Sequence, residues 1–412
     1  MDSLRLQKKQ FSSGICWLIS RFFGVVIVGA CTFSASSLAE EIVFSAKVMG
    51  PVSNIYSVSM NEAQDENAIR QNGLKKITEN IRWRDLDADV AADGTVVFSS
   101  NREASEAMDI ERTREMFDIY LAKSSPGSEQ GSDQWALQKL TATPQDEMLP
   151  RFSPDGHRVA FVRSREQLVV LDLDAGAERV LYAAAEILDF DWSPDGHGVA
   201  IAARNSEQGK IVLALCETDC LKGLITLQEL KTFPRRKDAL DERPRENAVV
   251  GGSVDGVRWS PNGEWLSYIF HPDTKGVRSL HLFNVQTGKA TRLSTANQQV
   301  QNPLSWSPDG QSLLYAALVD YRLYFDEVSQ RKVYQGAMQL FRSDLNGQQQ
   351  NLTRDQVSAR APVVLAENRI AYLQSEHLGA RKFSLMVKDL NDGAEYRLFD
   401  GVSPNSILVV KP

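Results

Sequence analysis

Cysteine, histidine and long apolar runs are all scarce in this sequence. Four cysteines among 412 residues are too few for a disulfide-stapled scaffold, and none form the CxxC pairs of zinc ribbons or thioredoxin-like centres. The five histidines, His157, His197, His271, His281 and His377, show neither HExxH nor any paired ligand spacing, so no metal site and no cofactor is expected. A GxSxG nucleophile elbow is missing too. The near miss GGSVDG at 251–256 places its second glycine one residue late. Beyond residue 33 no apolar run approaches the ~20 residues of a membrane-spanning helix. What remains is ordinary for a folded protein: 42% hydrophobic and 24% charged residues, with 26 Gly and 15 Pro, which excludes collagen-like and low-complexity chains.

The N-terminus has the character of an export signal. Arg5, Lys8, Lys9 and Arg21 face a single acid, Asp2, and an uncharged run follows from Phe22 to Phe33. Ser37 and Ala39 then offer small residues for cleavage before Glu40. Residues 1–39 are therefore expected to be a signal peptide, with 40–412 as one domain. A second reading takes Val28, Gly29, Ala30 and Cys31 as a lipobox, which makes Cys31 a lipid anchor. Losing residues 1–39 removes four basic residues and one acid from totals of 46 and 53, leaving 42 against 52. A mature chain with that acidic excess carries no general electrostatic footprint for nucleic acid. Only Cys216 and Cys220 remain, and an oxidising compartment favours a local disulfide between them.

One pattern recurs along the chain. RFSPDGHRVAFV (151–162), DWSPDGHGVAIA (191–202), RWSPNGEWLSYI (258–269) and SWSPDGQSLLYA (305–316) are four copies, with degenerate ones at DVAADGTVVFSS (89–100) and APVVLAENRIAYL (361–373). In each full copy Ser opens a type I turn, Pro presets φ at the second position, and Gly takes the place where positive φ is needed. The flanking segments alternate or run short and apolar, as in strands entering and leaving a hairpin corner. Two further strand segments follow each corner, for example LVVLDLDAG (168–176) and ERVLY (178–182). Four strands per unit in an all-β chain predict a β-propeller, because each sheet buries its faces only against its neighbours.

The segment before the first corner supplies IVFSA (42–46), NIYSVSM (54–60) and LKKIT (74–78), one strand short of a blade, while VSPNSILVV (402–410) is left over at the other end. Pairing the C-terminal strand into the N-terminal blade closes the ring and removes an open edge. The expected count is seven blades, or six if the first segment is only an extension. The corner aromatics Phe152, Trp192, Trp259 and Trp306 repeat at one blade position and are expected to pack between sheets.

These corners resemble those of the periplasmic TolB-like propellers built from the WD40-like PD40 repeat, whose signature is an aromatic followed by SPDG and a short apolar strand. The resemblance covers roughly residues 85–400 and includes FSSNRE at 98–103; it does not include that family's N-terminal α/β domain. It implies a periplasmic protein whose partner is an envelope protein or lipoprotein.

In such a fold the SPDG corners define one face, and three large insertions, 103–116, 233–253 and 319–336, fall on the other. Long loops on a rigid scaffold commonly carry function. Binding is therefore expected through Tyr321, Tyr324, Phe325 and Tyr334 of the third insertion, with Arg235 and Arg236 of the second. The function expected is a non-enzymatic protein-binding scaffold of the cell envelope, and no residue is assigned a catalytic role. The alternative is a carbohydrate-active lyase or hydrolase in the central channel, since oligogalacturonate lyases resemble a PD40 propeller with His-bound metal; His271, His281 and His377 are the residues that reading requires.

Overall fold

In the computed structural model the described residues are 40–411, without 51, 61–73, 103–115, 126–133, 206–207, 217–219, 221–224, 235–251, 273–276, 329, 354–356, 367 and 404–405. All regular structure among them is β. The chain opens with β1 (Glu40–Met49), β2 (Val52–Met60) and β3 (Leu74–Lys76). Five four-stranded antiparallel sheets follow. The first holds β4 (Asp85–Val90), β5 (Val96–Ser100), β6 (Asp118–Ser125) and β7 (Gln134–Lys139). The second holds β8 (Glu147–Phe152), β9 (Arg158–Arg163), β10 (Gln167–Asp172) and β11 (Glu178–Ala183). The third has β12 (Glu186–Trp192), β13 (Gly198–Arg204), β14 (Gln208–Cys216) and β15 (Ile225–Pro234). The fourth has β16 (Gly252–Trp259), β17 (Trp265–Pro272), β18 (Ser279–Asn284) and β19 (Ala290–Arg292). The fifth has β20 (Gln298–Trp306), β21 (Ser312–Asp326), β22 (Arg331–Asp344) and β23 (Gln349–Asn351). Last come β24 (Ser358–Val364), β25 (Arg369–Ser375), β26 (Phe383–Asp389), β27 (Glu395–Val402) and β28 (Val409–Val410).

The architecture is an all-β propeller of four-stranded blades, but the expected count of seven, or six, does not hold. Five blades stand as separate sheets. The segments assigned to the first and last blades instead form one eight-stranded sheet, β24-β25-β26-β27-β1-β2-β3, with β28 on β1. The joint is a long-range pairing: Val402 at the end of β27 faces Ala46 on β1, and the Ser403 amide donates to the Ser45 carbonyl at 3.2 Å. Repeat spacing counts copies of a turn and says nothing about which sheet edges join. The tail pairs with β1 as well, Val409 opposite Val43 and Val410 opposite Ile42.

The corners fold as their chemistry dictates. The Gly156, Gly196, Gly263 and Gly310 amides donate to the Ser153, Ser193, Ser260 and Ser307 carbonyls at 2.8–2.9 Å. Each of these glycines has φ between 67° and 73°, a region that costs a residue with a Cβ about 1–2 kcal/mol. The serine hydroxyl completes the turn: Ser307 Oγ donates to Asp309 at 2.6 Å and accepts the Ser312 amide at 2.9 Å.

Packing follows the two-residue period of a strand. On β9, Val159 and Phe161 join Val97, Ile119 and Leu121 of the preceding sheet, while Ala160 and Val162 join Phe190, Trp192, Val199 and Ile201 of the next. On β13, Ala200 and Ala202 turn to Val254, Trp259 and Tyr268. The corner tryptophans Trp192, Trp259 and Trp306 sit in these inter-sheet layers.

A candidate functional site in the central channel

Each four-stranded sheet begins at the propeller axis. A cavity of about 440 Å³ is lined by β4, β8, β12, β16, β20, β24 and residues 407–410 of the tail. Five of the six strands bulge immediately before the same column, between Leu86 and Asp89, Met148 and Arg151, Asp255 and Arg258, Gln301 and Ser305, and Arg360 and Val363, and β12 does so two residues earlier, between Ile187 and Asp189. The bulge inserts an unpaired residue and re-aims the side chains that follow. The residues just before the corner aromatics, with Asp89 before Val90 at the degenerate first corner, then meet around the axis as Asp89, Arg151, Asp191, Arg258 and Ser305.

Their charges alternate and interlock across sheets. Arg151 Nη2 donates to Asp189 Oδ1 at 2.7 Å, and Arg258 Nη1 donates to Asp189 Oδ2 at 2.7 Å. Arg151 also reaches Asp191 at 3.5 Å. Asp89 Oδ2 accepts the Phe152 amide at 2.8 Å, and Asp191 Oδ2 accepts the Trp259 amide at 2.7 Å. Burial works against ionised Asp189, but Arg258 and Arg151 outweigh it and hold its carboxyl below the usual range. Burial prevails at Asp191, which is raised, and it pushes Asp87 and Asp89 up to about 6. The opposite arc is apolar: Pro303, Leu304, Pro362, Val363, Val364 and residues 407–410.

A second set of ions, largely buried in the first two four-stranded sheets and exposed at Arg204 in the third, locks the first strand of a sheet to the end of its second. Arg102 Nη2 donates to Asp85 Oδ2 at 2.7 Å, with Ser100 Oγ donating to Asp85 Oδ1 at 2.6 Å. Arg163 Nε donates to Glu147 Oε1 at 2.7 Å, and Arg204 pairs with Glu186. This accounts for residues 98–102 of FSSNRE, whose Asn101 side chain also accepts the Arg84 amide at 2.7 Å. Sequence reasoning found neither set of ions, although the Asp/Arg alternation stands in one column of the aligned repeats, beside the aromatic.

The expected binding residues fall elsewhere. The third insertion is a β-ribbon rather than a loop. β21 and β22 pair from Ser312–Asp344 out to Asp326–Arg331, whereas β20 accompanies β21 only as far as Val319. The ribbon therefore extends beyond its sheet by on the order of 20 Å. Tyr324 and Phe325 near its tip are 49% and 54% exposed, and Val328 is 94% exposed. Tyr334 pairs with Leu323 in register, and Tyr321 lies at the bulge between Val319 and Arg322; their side chains are outside the described set. Arg235 and Arg236 lie outside the described residues, as do residues 1–39 with Cys31. Cys216 and Cys220 are joined by a disulfide with Cα atoms 4.9 Å apart, buried beside Trp192.

The histidines are dispersed. His157 and His197 follow the corners, and His157 is exposed beside Asp174. His271 lies 3.0 Å from Asp255, and His281 stacks on Tyr268 at 5.2 Å, where burial pushes its imidazole down to about 4. His377 is on the exposed β25–β26 loop. Among the described residues no group of three His, Cys, Asp or Glu side chains is arranged to hold a metal ion, and no helix is long and apolar enough to cross a membrane.

This fold and channel define a β-propeller whose four-stranded blades meet at a charged axis. No family model matches the chain. Over 177 residues it is 25% identical to the uncharacterized peptidase YuxL of Bacillus subtilis (strain 168), a match of 41% of this chain and 21% of that protein. A solved puromycin hydrolase is similar at 16% identity over 88% of this chain and 54% of its own, with a TM-score of 0.55. An oligogalacturonate lyase in complex with manganese is similar at 11% identity, covering 87% and 85%, with a TM-score of 0.51. TolB from Acinetobacter baumannii aligns at 12% identity over 90% and 83%, with a TM-score of 0.44. The chain thus spans about a fifth of the curated relative and about half of the puromycin hydrolase.

Proposed function

We propose that this protein is an exported, non-enzymatic propeller of the cell envelope that captures a protein partner through the ribbon formed by β21 and β22. One observation carries the reading: Tyr324, Phe325 and Val328 are exposed together at the end of a ribbon held by the fifth blade. Solvent-exposed aromatics on a rigid support act as anchors that bury against a partner, and about half of the Tyr324 and Phe325 surface is left open to one. Export rests on the basic and then apolar N-terminus and cleavage before Glu40, and it places the Cys216–Cys220 disulfide in an oxidising compartment.

The test is in-cell photocrosslinking from position 328, with the captured protein read by mass spectrometry. The reading requires one envelope protein to be captured and its yield to fall at least tenfold in Tyr324→Ala/Phe325→Ala. An unchanged yield in the double variant would overturn it.

A further inference from the structure

We propose that the central channel is a binding site for a primary ammonium group carried on an apolar body, seated between Asp87 and the apolar arc formed by β20, β24 and the tail. The inference is independent of the ribbon. It starts from the sharing of charge around the axis. Both channel arginines are already committed, Arg151 to Asp189 and Asp191 and Arg258 to Asp189. Asp89 spends one oxygen on the Phe152 amide. Asp87 is different: its contact with β8 is the Leu149 amide, and its Oδ2 is buried with no hydrogen-bond partner. A buried carboxylate oxygen without a donor is costly, and the chain holds it there at a positive φ of 53°.

The remaining charges facing this position are Arg84, Arg151 and Asp146 around Asp87, and Arg151 and Asp191 around Asp89. They leave β4 with more negative charge than positive. An ammonium supplies the missing donors as well as the missing charge. The wall opposite offers no hydrogen-bonding side chain between Pro362 and Val364, so the rest of the ligand must be apolar. The cavity of about 440 Å³ holds an alkyl chain or one to two residues of a peptide, but not an oligosaccharide of several rings.

Trp192, Trp259 and Trp306 line the same cavity, so intrinsic tryptophan fluorescence reports on occupancy. The purified protein is titrated with n-hexylammonium, with the neutral isostere n-hexanol and with hexanoate. Saturable quenching by the ammonium alone is the expected result; equal binding of hexanol overturns the proposal. Asp87→Asn keeps the side chain's shape and tolerates the left-handed backbone, and it should weaken the ammonium at least tenfold. Equal affinity in a folded variant would refute the assignment. If the variant does not fold, the unmodified protein decides through pH. Protonating a carboxylate that titrates near 6 should weaken binding about tenfold between pH 7.5 and pH 5, and a flat profile counts against the site. Competition by Ala-Leu-amide, but not by its N-acetylated form, assigns the ammonium to a peptide terminus; failure of both peptides with hexylammonium still bound assigns it to a small amine.

Discussion

Arg163 is the centre of a three-member ion network, buried with Glu147 and reaching the exposed Glu178, and its removal gives the sharpest test of what holds the second blade together. Its Nε donates to Glu147 at 2.7 Å and its Nη atoms donate to Glu178 at 3.0 and 2.7 Å. Glu147 is fully buried, receives one further bond from Thr143 Oγ1 at 3.0 Å, and has its Oε2 without a partner. Arg163→Met therefore strands a buried carboxylate, a change that costs about 3–5 kcal/mol. Glu178 is 44% exposed on its side chain, so Glu178→Ala should cost less than about 1 kcal/mol despite its bidentate geometry. A chain of this length unfolds with an entropy of roughly 0.8 kcal/mol/K, so Arg163→Met should lower Tm by about 4–6 °C and Glu178→Ala by at most about 1 °C. The measurement is differential scanning calorimetry at pH 7.5 with urea melts for ΔG. Adding Glu147→Met to Arg163→Met removes the stranded charge and should recover more than half of the loss. A loss below about 1 kcal/mol in Arg163→Met, or no recovery in the double variant, refutes the reasoning.

Other outcomes follow from single contacts. Gly256 has φ +62°, and a Cβ there meets Ile269 Cδ1 at 3.0 Å, so Gly256→Ala should destabilise by about 2 kcal/mol or more in a urea melt. Asp87 and Asp89 titrate near 6 when folded, above the ordinary aspartate value. Folding therefore loses stability as pH rises through that window, and Asp87→Asn/Asp89→Asn should gain on the unmodified protein at pH 8 but not at pH 3.5. Asp195 is held low, first by the Ser193 hydroxyl. Its contribution is present above the unfolded value and lost as pH falls, so Asp195→Ala should lose stability at pH 7 and converge with the parent in strong acid. Deleting residues 407–412 uncovers the β1 edge and removes Leu408, which is 2% exposed; light scattering should show self-association.

What was legible in the sequence was local. SPDG corners, the strands beside them and the inter-sheet role of Trp192 and Trp259 follow from turn chemistry and a two-residue period, both of which act over a few residues. The sheet boundaries were not legible, because the Ala46–Val402 pairing joins positions at opposite ends of the chain and depends on where β27 stops. The ribbon was half legible: Val319, Tyr321, Leu323 and Phe325 alternate as a strand does, but the excess length over a normal blade hairpin made the segment read as an insertion. The axial ions were missed for a different reason. Asp89, Arg151, Asp191, Arg258 and Ser305 share a column, yet a column that alternates in sign looks unconstrained until the sheets are arranged in a ring and each residue is set beside its neighbour.

The two arcs of the channel have the same origin as the departure from separate blades. The charged arc comes from β4, β8, β12 and β16, the first strands of four independent sheets. Most of the apolar arc comes from β24 and the tail, both parts of the eight-stranded sheet. There the corner copy is worn, with Leu365 where the four full copies have Ser, and the column that carries Asp or Arg on β4, β8, β12 and β16 carries Val363. A charge at that column has no neighbour of opposite sign on the tail, so burial would leave it uncompensated. The alternation stops at Ser305 on β20 and does not resume on the joined sheet. One of its two ends is β4, which packs against Val43 and Val409, and that is where Asp87 is left with an oxygen that none of the described residues satisfies.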